Sequence, residues 1–344
     1  MSRKRSSKVN SMDVARLAGV SIAAVSRTFT PGSSVSPKMA EKVRKAADQL
    51  SYVPNSLASS LITRRTNIVA LMLPNLVNQV YSALLSEASL RLEENNKQLL
   101  LFTPLNDSDF DRTLQRMLEY QVDAIVISAA SISSRMAALC LGRDVPVVML
   151  GRHMPSLSVH SVRGNAEDGG ITAAKLLISG GGKRFGIISG SQTFTTMLER
   201  QQAILRYLSV IKNIENVAIA DGKLTYEGGY QAALEIMSGE DRPDSIFCLT
   251  DIMALGAMDA IRYNLNLRIP EDVALIGFDD IPESAHESYG LTTIRTPVRR
   301  MIHHMMNLIA PETPLDPPQT IMIDAELVIR SSTRLAVNNS GLDS

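Results

Sequence analysis

The chain of 344 residues contains no tryptophan and only two cysteines, Cys140 and Cys248, each in apolar surroundings. Two such isolated thiols cannot build a disulfide framework or a zinc site, so both read as buried, inert groups of a reducing compartment. The five histidines form no ligand cluster. His303 and His304 share an expected helix, where adjacent positions point apart. No metal and no cofactor is therefore expected. No apolar run approaches the roughly 18 residues needed to cross a bilayer. The opening MSRKRSSKVN is basic but lacks the apolar core of a secretory signal. A cytoplasmic location is the expectation, with no membrane partner. Catalytic signatures are missing too: no nucleophile–base constellation appears, and Ser179-Gly180-Gly181-Gly182 closes a helix instead of opening one over a phosphate. No enzyme activity and no catalytic residue is expected.

Charge looks absent only in total. Lys and Arg number 35 and so do Asp and Glu. Residues 1–65, however, hold 12 Lys and Arg against Asp13, Glu41 and Asp48, an excess of nine positive charges that the rest of the chain cancels. A solvated charged face would not sort signs along the chain in this way. A compact basic module beside an acidic body is the electrostatic footprint of phosphate-backbone binding.

Within that module, MDVARLAGVSIAAVSRTF reads as two short helices and a tight turn. Ser11 is the expected cap of the first, with Asp13 in its first turn, where negative charge suits the dipole. Val14, Leu17 and Ala18 supply an apolar stripe. Gly19 makes the turn and Ser21 caps the second helix. Val25 and Phe29 continue the buried face, leaving Ile22, Ala23, Ser26 and Arg27 outward. An ordinary helical hairpin would share this layout, but the basic charge favours a helix-turn-helix whose second helix enters the DNA major groove. Ser36-Pro37 opens a third helix to about Leu50, buried through Met39, Val43, Ala46, Ala47 and Leu50, with Tyr52 closing the core. After Pro54, Asn55 can cap the short segment SLASSL, which is too short to hold a helix in water without a partner.

From Asn67 onward the pattern changes to short, uninterrupted apolar runs between helical segments. Strands are expected at 68–73, 98–102, 124–127, 147–150, 185–189, 246–249 and 273–278. Helices are expected near 80–94, 109–120, 165–179, 197–211, 226–238 and 252–263. Continuous apolar strands separated by helices indicate parallel sheets covered on both faces. The tail VNNSGLDS carries no heptad repeat from which a tetramer could be built.

These residues resemble a known family. DVARLAGVSIAAVSRTF and VSPKMAEKVRKAADQLSYVPNSLASSL look like the DNA-binding headpiece of LacI/GalR transcriptional regulators. The resemblance continues in order through NIVALMLPNLVNQVYSALL, DAIVIS, VPVVMLGR, NAEDGGITAAKLL, TDIMALGAMDAI, PEDVALIGFDD and LTTIRTP, spanning roughly residues 12–333. Departures include Ala24 for a usual Thr, Thr30-Pro31-Gly32 for an Asn-Gly loop, and Gly151 and Gly164 where many members carry Asp. Asn78-Gln79-Val80-Tyr81 is similar to gluconate-type regulators.

The resemblance implies an all-α helix-turn-helix headpiece at 1–54 and a hinge helix and linker at 55–66. It further implies an α/β two-lobed periplasmic-binding-protein-like core at 67–336, made of two doubly wound parallel sheets, and a tail at 337–344. The first lobe would take about 67–162 and 291–322 and the second about 163–290 and 323–336, with crossings near 162, 290 and 322. It implies a homodimer on near-palindromic double-stranded operator DNA, nucleoid-associated when bound, repressing a carbohydrate or sugar-acid operon in response to a small polar effector. The family's base-reading positions fall on Ile22, Ala23 and Arg27. Ser21, Ser26 and Asn55 suit phosphate, and Leu61 matches the hinge leucine that wedges into the minor groove. Effector contacts fall on Asn75, Tyr81, Arg200, Thr250 and Asp279, while Leu224 stands where several relatives have an aromatic wall. Asp279 could instead simply pair with Arg200, and Asp251 is expected to cap the helix that follows it. A sugar-binding protein of a transport system would share the two-lobed body, but it would need an export signal and no basic headpiece.

Overall fold

A computed structural model describes residues 9–30, 33–53, 65–74, 78–104, 109–128, 134–153, 158–190, 195–310, 312 and 316–334. The chain divides into two units, residues 1–67 and 68–344. In the first, helices α1 (Ser11–Ala18), α2 (Ile22–Phe29) and α3 (Pro37–Gln49) pack around Val14, Ala15, Val25, Val43, Ala46 and Ala47. Asn10, not Ser11, caps α1. Its Oδ1 accepts from the Met12 and Asp13 amides at 2.8 and 3.3 Å, and Asp13 Oδ2 accepts the Asn10 amide in return. This reciprocal box satisfies more orphan amides than a serine one position later could. Gly19 takes the left-handed conformation at φ 63°, and Phe29 and Tyr52 meet at a centroid distance of 6.1 Å. Leu17, expected in the buried stripe, is 50% exposed, because Val14, Ala15 and Ala18 form the face that meets the rest of the bundle.

The second unit holds two six-stranded sheets. Strands β1 (Ile68–Met72), β2 (Gln98–Phe102), β3 (Ala124–Ile127), β4 (Val147–Leu150) and β5 (His160–Gly164) enter the first sheet. Strands β6 (Phe185–Ser189), β7 (Val217–Asp221), β8 (Ser245–Cys248), β9 (Ala274–Asp279) and β10 (Thr292–Arg295) build the second. Strand β11 (Thr320–Ile323) then returns to the first sheet and β12 (Glu326–Val328) to the second, giving the orders β11-β5-β4-β3-β1-β2 and β12-β10-β9-β8-β6-β7. All pairings are parallel except β12 on β10, which is antiparallel. The helices are α4 (Gln79–Glu94), α5 (Phe110–Glu119), α6 (Ser134–Leu141), α7 (Ala166–Ser179), α8 (Thr195–Arg206), α9 (Tyr226–Met237), α10 (Asp251–Asp259) and α11 (Val298–Leu308). One apolar cluster fills the second lobe and two flank the first sheet.

The middle crossing between lobes lies after Arg295, several residues beyond the expected 290, because β10 pairs in register with β9 from Thr292 to Arg295. Residues 291–295 thus belong to the second lobe, which the apolar pattern could not reveal. In each sheet the order reverses next to its first strand, between β1 and β3 and between β6 and β8. The carboxyl ends at such switch points leave a crevice where α/β folds hold ligands.

Helices α9 and α10 approach until their backbones touch. A Cβ on Gly256 would collide with the Tyr226 carbonyl, and one on Gly229 with the Met253 backbone. Backbone cannot yield as a side-chain tip can. Gly256→Ala should therefore cost about 1–3 kcal/mol through overpacking, whereas Gly239→Ala, with open space around it, should be close to neutral. Chemical denaturation of both variants checks this, and equal stabilities would contradict the close crossing.

Candidate functional sites

The outer face of α2 carries the expected polar and apolar readers together. Ser21 caps the helix through its Oγ, which accepts the Ala24 amide at 3.2 Å. Ile22, Ala23, Ser26 and Arg27 are all exposed, opposite buried Ala24 and Val25. Ile22 is 49% exposed. The nearby acids are spoken for: Asp13 pairs with Arg16 at 3.7 Å and Glu41 with Lys45 at 2.9 Å. Arg27 makes no ion pair among the described residues. Asn55 and Leu61, expected at phosphate and in the minor groove, lie outside the described residues.

In the core, the residues that matter come from the strand ends at the two switch points. After β1, Asn78 caps α4 by accepting the Val80 amide at 2.9 Å, which sets Gln79 and Tyr81 at the first turn. Tyr81 Oη accepts from Arg152 at 3.2 Å, and Arg152 also donates to the Ser128 carbonyl after β3 at 3.2 Å. Asn75 lies outside the described residues.

In the second lobe Arg200 lies on α8 with its guanidinium 3.4 Å above the Phe278 ring. It donates to the Leu249 carbonyl at 2.8 Å and stands 3.8 Å from Asp279 Oδ1. Burial pulls its pKa below the ordinary value, opposed by the charge of Asp279. The same burial pushes the Asp279 carboxyl up to about 7, although Arg200 and a hydrogen bond from Thr296 Oγ1 at 3.1 Å hold it down. Asp279 also sits at φ 126°, a strained conformation for a side-chain-bearing residue of the kind found at ligand sites. Thr250 occupies the cap position of α10 without capping it, and its buried Oγ1 has no hydrogen-bond partner among the described residues. Arg200 Nε shares that condition. The pairing of Asp279 with Arg200, open on the sequence, is thus present in the structure.

Asp251 departs from its expected role as a cap. Its carboxylate accepts from the Ile281 amide at 3.0 Å, Ser284 Oγ at 2.7 Å and Thr293 Oγ1 at 2.6 Å. Burial raises its pKa to about 6 against those three bonds. Leu224, at φ 57°, lies over Gly190 against the second-lobe core. A crevice beside the crossings is lined by Gly151, Gly164, Arg200, Phe278, Thr296 and Met301, among others. Its glycines leave open the space that a side chain would take. Phe278 reads on the sequence as one more core residue of its strand, so its role beneath Arg200 has no sequence signal. His303 and His304 also differ from expectation, their rings meeting edge to face at 5.5 Å.

Residues 12–55 match the model for bacterial regulatory proteins of the lacI family, and residues 151–333 match that for a periplasmic binding protein-like domain. The HTH-type transcriptional repressor PurR of Vibrio vulnificus (strain CMCP6) is 32% identical over 292 residues, 84% of this chain and 87% of that protein. The chain belongs to the lacI family. A LacI-family ribose operon repressor from Haemophilus influenzae (strain ATCC 51907 / DSM 11121 / KW20 / Rd) is 28% identical over 93% of this chain and 97% of its own length. The lac repressor dimer bound to operator and the anti-inducer ONPF shares the fold at a TM-score of 0.86, with 23% identity over 96% of this chain and 100% of that one. The transcriptional regulator CelR–cellobiose complex reaches a TM-score of 0.68 at 28% identity, covering 94% of this chain and 99% of that one. As a LacI-family member the protein is a ligand-responsive transcriptional repressor and not an enzyme.

The two raised carboxyls of the LacI-family core set a pH dependence. A carboxyl whose folded pKa exceeds its unfolded value binds its proton more tightly when folded, so stability rises as pH falls through the folded value. Proton uptake by Asp279 and Asp251 should make the core more stable at pH 5 than at pH 8, by at most roughly 1.4 kcal/mol per pH unit for each proton. Asp279→Asn should flatten the upper part of that slope. Thermal unfolding across the interval tests this, and identical slopes for both proteins would refute it.

Proposed function

We propose that the protein represses a carbohydrate or sugar-acid operon as a homodimer, binding a near-palindromic operator and answering to a small polyhydroxylated effector held by Arg200 and Asp279. On the DNA side, Arg27 reads guanine by a bidentate pair, and Ile22 and Ala23 meet apolar features such as a thymine methyl. Ser21, Ser26 and Asn55 hold phosphate, and Leu61 is the minor-groove wedge. On the effector side, Tyr81 and Asn75 belong to one wall and Thr250 and Leu224 to the other.

The observation that carries the effector reading is the Arg200 guanidinium, stacked on Phe278 and facing Asp279 at the carboxyl ends of the second sheet. A donor and an acceptor side by side suit vicinal hydroxyls, each of which both gives and takes a hydrogen bond. Because Asp279 already offsets the charge of Arg200, hydroxyls fit this pair better than a second carboxylate. Gluconate-like similarity at Asn78–Tyr81 keeps a sugar acid as the second reading. Two relatives point the same way, the ribose operon repressor and the CelR–cellobiose complex, whereas the relative at 32% identity is a PurR repressor.

Thermal-shift screening against ribose, cellobiose, gluconate and a purine base identifies the class, since a ligand that binds the folded state raises Tm with its concentration. With a hit in hand, Arg200→Ala should lose about 1–3 kcal/mol of effector affinity while leaving effector-free operator binding unchanged. Wild-type affinity in that variant would move the site elsewhere. Arg27→Ala should lose about 1–3 kcal/mol of discrimination between operator and scrambled DNA, yet keep weak, salt-sensitive binding. Titrations at two salt concentrations separate the two effects, and undiminished discrimination would rule out base readout by Arg27.

A further inference from the structure

Among the described residues, polar contacts join the lobes at two places away from the proposed effector contacts. Gln79, at the start of α4 in the first lobe, donates through Nε2 to Glu283 Oε1 in the second at 2.6 Å. Arg163, on β5 beside the first crossing, donates to both oxygens of Glu199 on α8 at 2.7 and 2.6 Å. The partners in each contact are far apart in sequence and are anchored in different hydrophobic clusters. Each bond therefore exists only while the lobes stay close.

The Gln79–Glu283 contact needs a support that its own residues do not provide. Glu283 lies in a short segment between β9 and β10 with no sheet partner. That segment is held from below by Asp251, which accepts from Ile281 and Ser284 on either side of Glu283 and is itself fixed by Thr293 on β10. On the opposite wall, the Asn78 cap fixes the first turn from which Gln79 projects. A short polar contact between two pre-positioned side chains loses less conformational entropy than one between free ones.

We infer that Asp251 is a positioning residue for lobe closure: it sets the 281–284 segment so that Glu283 clasps Gln79 and holds the cleft closed before any effector binds. Glu283 Oε2 is buried without a partner among the described residues, so the clasp leaves one acceptor unused when formed. Effector entry then requires this contact to break, and effector response depends on residues that need not touch the ligand. The consequence for regulation rests on the cleft being the effector site, but the closure itself does not.

Electron–electron distance measurements on the full-length, ligand-free protein test it, with spin labels at Glu93→Cys in the first lobe and Glu240→Cys in the second, the labelled protein being mixed with an excess of unlabelled protein so that a homodimer carries one labelled protomer. Both positions are exposed, and both native cysteines are buried. The labelled parent should give one short-distance population. Glu283→Ala and Gln79→Ala should each add a longer one, and the double variant should be no more open than either single variant. Glu283→Gln, whose amide carbonyl can still accept from Gln79, should restore the short population. Asp251→Asn should open the lobes as Glu283→Ala does while retaining one cooperative thermal transition. Where Asp251→Asn does not fold, Ser284→Ala combined with Thr293→Val removes two of the three bonds and should open the lobes in its place.

An unchanged distribution in Glu283→Ala would overturn the clasp. A closed distribution in Asp251→Asn, or in its substitute, would overturn the positioning role. Since no effector is present, neither result bears on whether Arg200 binds one.

Discussion

The buried carboxylate of Asp251 is the constraint on which the ligand-facing side of the second lobe depends. Placing a charge there carries a desolvation cost, visible in a pKa raised to about 6. Three short hydrogen bonds from Ile281, Ser284 and Thr293 offset it. Those three donors lie on the segment after β9 and on β10, so one side chain at the foot of α10 ties together consecutive elements, alongside the Arg295–Asp280 pair and the Leu291 amide bond to the Ser284 carbonyl. Removing one partner of a buried charge costs more than the pair contributes, because the other group is left unsatisfied. The placement of Glu283, between Ile281 and Ser284, follows from this anchor.

The sequence made some of this architecture legible and hid the rest for identifiable reasons. Strands β2, β3, β4 and β6 lie where the apolar runs put them; β3, β4 and β6 are buried along their whole length and read as continuous apolar segments, and the half-buried edge strand β2 carries a run of three leucines. Strands β5, β10, β11 and β12 mix polar and apolar types, and the edge strand β7 is a short run weakened by two alanines, so none of them reads as a buried strand. His160–Gly164 and Thr292–Arg295 carry buried polar groups whose partners are remote in sequence, such as Thr333 for Thr292. Lobe boundaries depend on those strands; the family resemblance puts the middle crossing near 290, and the structure puts it after Arg295. Helix α6 has no distinct sequence signature either, since the serine-rich stretch before it offers several equivalent caps and none marks its start.

Site residues show the same division. Arg200, Thr250 and Asp279 were reached by matching family phrases, and the structure gathers Arg200 and Asp279 into one pair. Composition and periodicity could not have selected them, since a lone arginine on a helix of mixed polarity reads as a solvated charge. Arg163, Glu199 and Glu283 give no sequence signal, and Gln79 stands out only within the gluconate-type phrase and not as a contact, because contact between lobes is a property of the closed arrangement and not of any local pattern. The cap at Asn10 illustrates a smaller version of the problem. Serine and asparagine both cap well, and only the reciprocal bond from Asp13 decides between neighbouring candidates.

Charge and closure meet at the Arg200–Asp279 pair. At 3.8 Å the two groups are close enough to offset one another yet too far apart for a direct hydrogen bond. A hydroxyl that bridges them can satisfy both, whereas the unliganded pair leaves Arg200 Nε buried without a partner among the described residues. Binding therefore exchanges an imperfect internal contact for a better external one. A ligand shifts the lobes only to the extent that it binds one arrangement more tightly than the other. Because the proposed effector pair lies within one lobe, its own bonds do not distinguish open from closed. The discrimination must come from groups on the facing wall, where Tyr81 and Arg152 stand at the ends of β1 and β4, reached only when the lobes are together. A ligand that touches Arg200 alone would bind without regulating, and one that also reaches Tyr81 would do both.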